Sequence, residues 1–310
     1  MPITVCISSF NHRQYVGNAI ESVLRQTLRP TQIIVVDDCS TDGSAEIIAG
    51  YAAKYPELIL PIYHEKNRGV ASARVSALQK VRTQYVTYLD SDDEYLPEKL
   101  EQEIKLLQQE EGVQFAFSNY YLIDESGQRQ ETWLSSEDLL NNLFERILAC
   151  DFPYKSPFRY ELVDFKFLQM VGFHNLDLKT HSDWELKVRL VRQGSAAFTL
   201  QPLSVYRRHA NTVSSSAAIN RYRSVRQIYS IYRRELHHCS KVGSPVQLNK
   251  YETLMNLAWQ VWNECEKKDP RKIYFWAVYK YYNSRYKLEK RMGARHFGDG
   301  RQRASRLPLR

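Results

Sequence analysis

Apolar and polar residues alternate in blocks along the first hundred positions, and the period changes from block to block. Ile3-Thr-Val-Cys-Ile-Ser8 is a short apolar run of strand length. Val16, Ile20, Val23, Leu24 and Leu28 then recur near a 3.6-residue period, which predicts a helix over 16–28 closed by Pro30. Gln32–Val36 reads as a second strand ending at Asp37 and Asp38, and Ser40-Thr-Asp-Gly-Ser44 supplies turn formers and N-caps for a helix through Ala53. Leu58–His64 is a third strand, 70–81 a helix, Tyr85–Leu89 a fourth strand, 97–109 a helix opening on Pro97, and Val113–Asn119 a fifth strand. Strands separated by helices of this length imply parallel pairing with right-handed crossovers, hence an α/β, Rossmann-like fold with a mostly parallel central sheet.

Beyond residue 119 the pattern loosens. A hairpin is expected over 120–131 around Glu125-Ser-Gly127, an amphipathic helix over 136–149 and a short helix over 162–171 ending at Gly172. A helix over 182–192 and an extended segment over 197–208 follow. Residues 217–290 have helical spacing with many aromatics, among them Tyr222, Tyr229, Trp259, Trp262, Trp276 and Tyr279. From Gly293 onward the chain is too rich in Gly and Arg to pack, so 291–310 reads as a disordered basic tail.

Charge divides the chain at the same place. The net charge is +8, but residues 216–310 carry 21 Lys and Arg against seven Asp and Glu, while the first 215 carry 22 against 28. An acidic body over 1–215 is therefore expected to join a basic, mainly helical extension over 216–290 near Ser214-Ser215-Ser216. No run approaches the roughly 18–20 apolar residues of a membrane span, and no basic leader precedes the first apolar run, so a cytoplasmic location is expected. The five cysteines are widely spaced without a Cys-x-x-Cys pair, which fits free thiols better than a disulfide frame or a zinc site.

The candidate chemistry begins where the fourth strand ends. Leu89-Asp90-Ser91-Asp92-Asp93 sets three carboxylates at the carboxyl end of a buried strand, the edge where open α/β sheets bind ligands. Like charges this close need a compensating cation or donors, and oxygen ligands at this spacing suit Mg²⁺ or Mn²⁺ shared with a phosphate-bearing substrate. The first turn, Ser9-Phe-Asn-His-Arg13, lacks Gly-x-Gly-x-x-Gly, and no Gly-rich Lys-Ser/Thr loop occurs, which argues against a dinucleotide dehydrogenase or a P-loop NTPase.

An ordered series of segments resembles the family-2 glycosyltransferases of the GT-A fold. They are Ser8-Ser-Phe-Asn11, Val35-Val-Asp-Asp-Cys-Ser-Thr-Asp-Gly-Ser44, Asn67-Arg-Gly-Val-Ala-Ser-Ala-Arg74 and the Asp90 cluster, followed by Gly172-Phe173, His181-Ser-Asp-Trp-Glu-Leu186 and Tyr206-Arg-Arg-His209. The resemblance covers roughly 1–215. It implies a nucleotide-sugar-binding half over 1–119, an acceptor half over 120–215, and metal-dependent, inverting transfer of a sugar from a nucleoside diphosphate-sugar to a hydroxyl acceptor in polysaccharide or glycan synthesis. Under it, Asp38 accepts from a pyrimidine imide with Asp37 nearby, Phe10 and Asn11 line the base and ribose pocket, and Ser8 and Asn67 belong to the donor site. Arg74 pairs with phosphate or orients Asp90. Asp92 is the first choice of metal ligand, with Asp90 and Asp93 dividing ribose contact and support of the metal. His209 is a further metal ligand or a diphosphate contact, with Arg207 or Arg208 beside it.

The resemblance also implies that Asp183 is the general base on the acceptor hydroxyl, although its place at a helix start also suits an N-cap. His181 reads as a loop residue near the acceptor and His12 as packing on the first turn. Two departures from the family pattern stand out: Ser182 replaces the acidic residue usual before this aspartate, and Val171-Gly-Phe-His-Asn175 replaces a Gly-Gly-Phe-Asp-Glu run. The implied cofactor is Mn²⁺ or Mg²⁺. The implied partners are a nucleoside diphosphate-sugar, UDP favoured, and a glycan or lipid-linked acceptor, with peripheral membrane contact through the basic extension; no nucleic-acid recognition motif accompanies its charge. Competing readings are a nucleotide-sugar-binding protein without transfer activity, and a membrane or nucleic-acid adaptor acting through the tail.

Overall fold

Buried apolar runs build the centre of the molecule. Strand β1 (Ile3–Ser9) is buried at every position, and β2 (Gln32–Asp37) and β4 (Tyr85–Asp90) at all but one, as expected for parallel strands covered on both faces. The computed structural model describes residues 1–109, 111–136, 143–149, 157–178, 181–209, 227–228, 231, 234–235, 245–264 and 271–296. The chain divides into two compact units, Met1–Ser216 and Ala217–Arg310.

In the first unit, β1 and β2 are followed by β3 (Ile59–Tyr63), β4, β5 (Glu94–Tyr95), β6 (Val113–Ile123), β7 (Arg129–Thr132), β8 (Leu162–Asp164) and β9 (Ser195–Arg207). The sheet order is β3-β2-β1-β4-β8-β6-β9-β5, with β7 beside β6. β1 pairs in parallel with both β2 and β4, and β2 with β3, while β8 runs antiparallel between β4 and β6 and β9 is parallel to β6. Six strands therefore share one direction and present their carboxyl ends on one edge. Register places Ser9 beside Asp37 and Ser8 beside Asp90 there.

The helices of this unit are α1 (Val16–Leu24), α2 (Ser44–Lys54), α3 (Val70–Leu78), α4 (Lys99–Gln109), α5 (Leu143–Ala149), α6 (Phe165–Val171) and α7 (Ser182–Gln193). α1 buries Val16, Ala19, Ile20 and Val23 into the core formed with Ile3, Val5, Ile7, Ile33 and Val35. α3 packs over β1 and β2, and α4 over β6 and β9. The second unit contains α8 (Pro245–Glu264) and α9 (Arg271–His296), packed on each other through Trp259 against Tyr279 at 5.1 Å between ring centroids. No described helix is long and apolar enough to cross a membrane.

The α/β class, the strand series and the hairpin all appear, with three corrections. The helix expected over 162–171 begins as strand: Leu162–Asp164 pairs with both β4 and β6, and Asp164 then caps α6 by accepting from the Phe167 amide. The two-residue strand β5 lay hidden inside the acidic segment and forms because β9 offers it a partner. The tail expected to be unstructured from 291 starts as helix, since α9 runs on to His296; residues 297–310 lie outside the described residues, as do 137–142 of the helix expected over 136–149.

One ion pair in this core is fully dry. Lys99 and Glu103, one turn apart on α4, are both wholly buried, with Nζ to Oε2 at 2.5 Å. Lys99 also donates to the Tyr160 carbonyl at 2.7 Å, and Ser118 Oγ donates to Glu103 at 2.8 Å. Removing one partner strands the other charge. Glu103→Ala is expected to destabilise the protein by about 3–5 kcal/mol, seen in urea unfolding as a lower midpoint at unchanged slope, with Lys99→Met/Glu103→Leu recovering part of the loss. An unchanged midpoint for Glu103→Ala would refute this.

Candidate active site at the carboxyl edge of the sheet

The acidic turn after β4 splits its three carboxylates among three environments. Asp90 receives Arg74 Nη2 from α3 at 2.6 Å and Ser8 Oγ at 3.3 Å, and Arg159 approaches its other oxygen at 3.8 Å. Burial works against its charge, but Arg74 and Arg159 outweigh it and hold the carboxyl below the usual range. Asp93 is buried beneath the turn. It accepts from the Arg207 amide at 2.6 Å and from the Tyr160 hydroxyl, while burial and the neighbouring Asp92 push its pKa up. Asp92 faces a different group: His209 Nε2 lies 2.9 Å from its Oδ2 and His12 Nε2 lies 3.9 Å away. The three ligand-capable atoms of His12, Asp92 and His209 lie within 4.8 Å of one another, the one such trio among the described residues.

The loops after β1 and β2 are laced together. Asn11 accepts from the Thr41 amide at 2.8 Å while its own amide donates to Ser40 Oγ at 2.9 Å. Asp37 accepts from both the amide and the hydroxyl of Ser40. Asp38, 2% exposed, accepts from His64 Nδ1 at 2.6 Å, the Arg68 amide at 2.9 Å and the Gly69 amide at 2.6 Å. Gly69 has φ of 87°, a conformation that brings its amide to the carboxylate and disfavours a side chain. Phe10 and Asn67 are exposed on the same edge.

Asp183 opens α7. The N-cap is His181, at φ of 63°, so Asp183 sits inside the first turn, where the helix N-terminus favours negative charge. Crowding works against that charge, yet Lys187, Arg74, the Trp184 amide and Arg159 outweigh it and hold the carboxyl well below the usual range, while its outer face stays open to solvent. Asp183 also raises Asp90 through space, so the two carboxylates and the two arginines share one electrostatic field. Arg189, one helical turn beyond Glu185, pairs with that residue and donates to the carbonyls of Val171, Gly172 and Phe173 at 2.6, 2.6 and 2.8 Å. This clamp holds the segment bearing His174 against α7. The non-glycine residues with positive φ among the described residues are Asn11, Cys39, Tyr160 and His181, and all four belong to this set of loops.

A model of the family described as glycosyl transferase family 2 matches residues 4–165. The chain belongs to glycosyl transferase family 2. It is 29% identical over 254 residues to the putative teichuronic acid biosynthesis glycosyltransferase TuaG of Bacillus subtilis, covering 80% of this chain and 94% of that one. Among solved structures it resembles Staphylococcus aureus TarS 1–349 in complex with UDP-GlcNAc, with a TM-score of 0.61 and 17% identity over 96% of this chain and 92% of that one. It also resembles the mannosyltransferase PcManGT of Pyrobaculum calidifontis in complex with GDP-Man and Mn²⁺, with a TM-score of 0.53 and 14% identity over 95% and 86%. At these identities the solved structures attest the shared fold.

Of the expected site residues of this family-2 glycosyltransferase, Phe10 and Asn67 are exposed on the sheet edge and Asn11 ties the β1 loop to Ser40 and Thr41. Arg74 and Ser8 meet at Asp90, His209 meets Asp92, and Asp183 shares the field of Arg74 and Asp90. Asp37, Asp38, Asp93 and Arg207 do not present open groups to a ligand. The two oxygens of Asp37 cap Ser40, Asp38 organises the β3–α3 loop, and Asp93 lies under the Tyr160 hydroxyl. The Arg207 guanidinium goes to the Asp92 carbonyl at 3.2 Å and to Glu94 at 3.0 Å. Sequence reasoning missed Arg159, Arg189 and the approach of His12 to Asp92, none of which has a local signature.

His174 stands out within this site. It is 6% exposed, neither ring nitrogen has a hydrogen-bond partner of good geometry, and its ring meets Tyr88 edge-on at 5.6 Å. Burial and Arg74 push its pKa down from 6.5 to about 3. A group neutral in the fold but protonated in the unfolded chain costs stability as pH falls from about 6.5 toward 3, by up to about 1.4 kcal/mol per pH unit. Denaturant unfolding of wild type and His174→Gln across pH 7 to 4 is expected to converge as pH falls, the wild type losing more; parallel curves would contradict this.

Proposed function

We propose that this glycosyltransferase moves a sugar from a UDP-sugar to a hydroxyl of a polysaccharide or other glycan acceptor, with inversion at the anomeric carbon and with a divalent cation bound. The observation that carries the reading is the shared field of Asp183, Asp90, Arg74 and Arg159 at the carboxyl edge of the sheet. The TarS complex supports a UDP-sugar donor, and the likeness to TuaG across nearly all of that protein supports a polysaccharide acceptor.

In this reading Asp183 takes the proton of the acceptor hydroxyl as its oxygen bonds to C1, the bond from C1 to the phosphate oxygen breaks, and nucleoside diphosphate departs. Because Lys187 and Arg74 keep Asp183 ionised, it is in its proton-accepting form throughout the physiological range. Arg74 holds Asp90 through a half-buried contact at 2.6 Å, which fixes the wall against which the donor lies. Phe10, exposed beside the laced β1 and β2 loops, offers an apolar face to the nucleoside. Asp92 and His209 offer a carboxylate oxygen and an imidazole nitrogen suited to a divalent cation, which when bound supplies positive charge to the departing diphosphate.

Asp183→Asn is expected to lower kcat at least about 10²-fold while leaving UDP affinity by calorimetry within a factor of about two. Turnover near wild type would remove Asp183 from the role of base. Asp92→Ala is expected to abolish transfer and the cation dependence of UDP binding. In a thermal-shift panel of UDP-, GDP- and dTDP-sugars with and without Mn²⁺, the UDP-sugar set should raise Tm most, since bound ligand stabilises as RT ln(1 + [L]/Kd). A larger shift with a GDP-sugar would reassign the donor.

A further inference from the structure

We infer that His12 is a third protein ligand of the cation site, making it a two-imidazole, one-carboxylate set that selects a transition-metal dication over Mg²⁺. The inference rests on the cation site proposed above and adds the residue and the selectivity. His12 Nε2 lies 3.9 Å from Asp92 Oδ2. That is too long for a hydrogen bond and close to the separation of two ligands on one ion, since groups bound at about 2.1 Å sit roughly 3–3.5 Å apart. Closing the gap to that separation brings it into ligation.

Three features hold the imidazole in that pose. Ser91 Oγ lies 2.8 Å from His12 Nδ1, and with Ser91 accepting, the ring hydrogen sits on Nδ1 and leaves the Nε2 lone pair for the site, the outer hydrogen bond that metal-binding histidines usually have. The His12 backbone is pinned: its amide donates to Ser44 Oγ at 3.1 Å and its carbonyl accepts from the Tyr15 and Val16 amides at 2.9 and 2.8 Å. The rings of His12 and His209 pack edge-on at 5.7 Å, both against Tyr15. Holding three donors in place before the ion arrives lowers the ordering cost of binding it.

Donor chemistry gives the selectivity. Mg²⁺ takes oxygen ligands and dehydrates reluctantly, whereas imidazole nitrogen favours Mn²⁺ less than Co²⁺ and Zn²⁺ but all of them over Mg²⁺. Three protein ligands leave the remaining positions of a six-coordinate ion for oxygens of a diphosphate.

The test titrates the full chain with Co²⁺, alone and with UDP, following the visible cobalt spectrum, and repeats it with His12→Ala, His12→Gln and Ser91→Ala. Wild type is expected to bind one Co²⁺ that millimolar Mg²⁺ does not displace. Both His12 variants, at unchanged melting temperature, should bind Co²⁺ about 100-fold more weakly with an altered spectrum, and Ser91→Ala about tenfold more weakly. Wild-type affinity and spectrum in His12→Gln would overturn the inference, as would the absence of Co²⁺ binding by wild type under both conditions or its displacement by Mg²⁺. UDP affinity, measured separately by calorimetry, tests the donor assignment; its failure leaves the cobalt result to decide His12 alone.

Discussion

A lysine ammonium with no solvent contact must find its donors' partners inside the protein, and Lys99 finds them in Glu103 and in the carbonyl of Tyr160. That carbonyl also accepts from Thr87 Oγ1 at 2.9 Å, so the strained backbone of Tyr160, at φ of 56°, is held from two sides. Held there, Tyr160 directs its hydroxyl onto Asp93, whose second oxygen takes the Arg207 amide 114 residues further along the chain. The acidic turn after β4 is thereby fastened to the end of β9. Arg207 tightens the same joint from above by bonding the Asp92 carbonyl and Glu94. The meeting of Asp92 with His209, two residues past Arg207, follows from this joint. An uncharged tie would be cheaper to bury, but a stranded charge penalises every arrangement in which the joint is open.

This architecture explains which parts of the molecule were legible in advance. β1, β2 and β4 announce themselves because parallel strands covered on both faces must be continuously apolar, and their acidic ends mark the ligand edge. Composition cannot tell which acidic group faces outward. Asp37, Asp38 and Asp93 look like Asp90 and Asp92 in the sequence, yet the first two serve neighbouring amides and hydroxyls and the third serves Tyr160. The helix at Asp183 was readable from its period, and its N-cap at His181 was not, because a left-handed residue without a capping side chain leaves no compositional mark.

The unread residues share another property: their partners are remote. Ser91 is 79 residues from His12, and Arg159 meets an aspartate on β4 that precedes it by nearly 70 positions. Arg189 looks like one more solvated charge on an amphipathic helix until the fold brings three carbonyls of the α6 end to its guanidinium. Local strain would have been the better guide, since Asn11, Cys39, Tyr160 and His181 mark the functional loops, but φ is not written in the sequence.

The departures from the family pattern become coherent at this level. An acidic residue at position 182 would place a second carboxylate beside Asp183, and like charges this close drive one pKa up. Ser182 is buried and uncharged, so Asp183 has no carboxylate at the preceding position, and Lys187, Arg74 and Arg159 hold its carboxyl below the usual range. His174, in place of an acidic side chain, removes a further negative charge from the same wall and is itself held neutral by burial and then by Arg74. Both substitutions act in one direction. Each removes a carboxylate that would compete with Asp183 for Arg74 and Lys187.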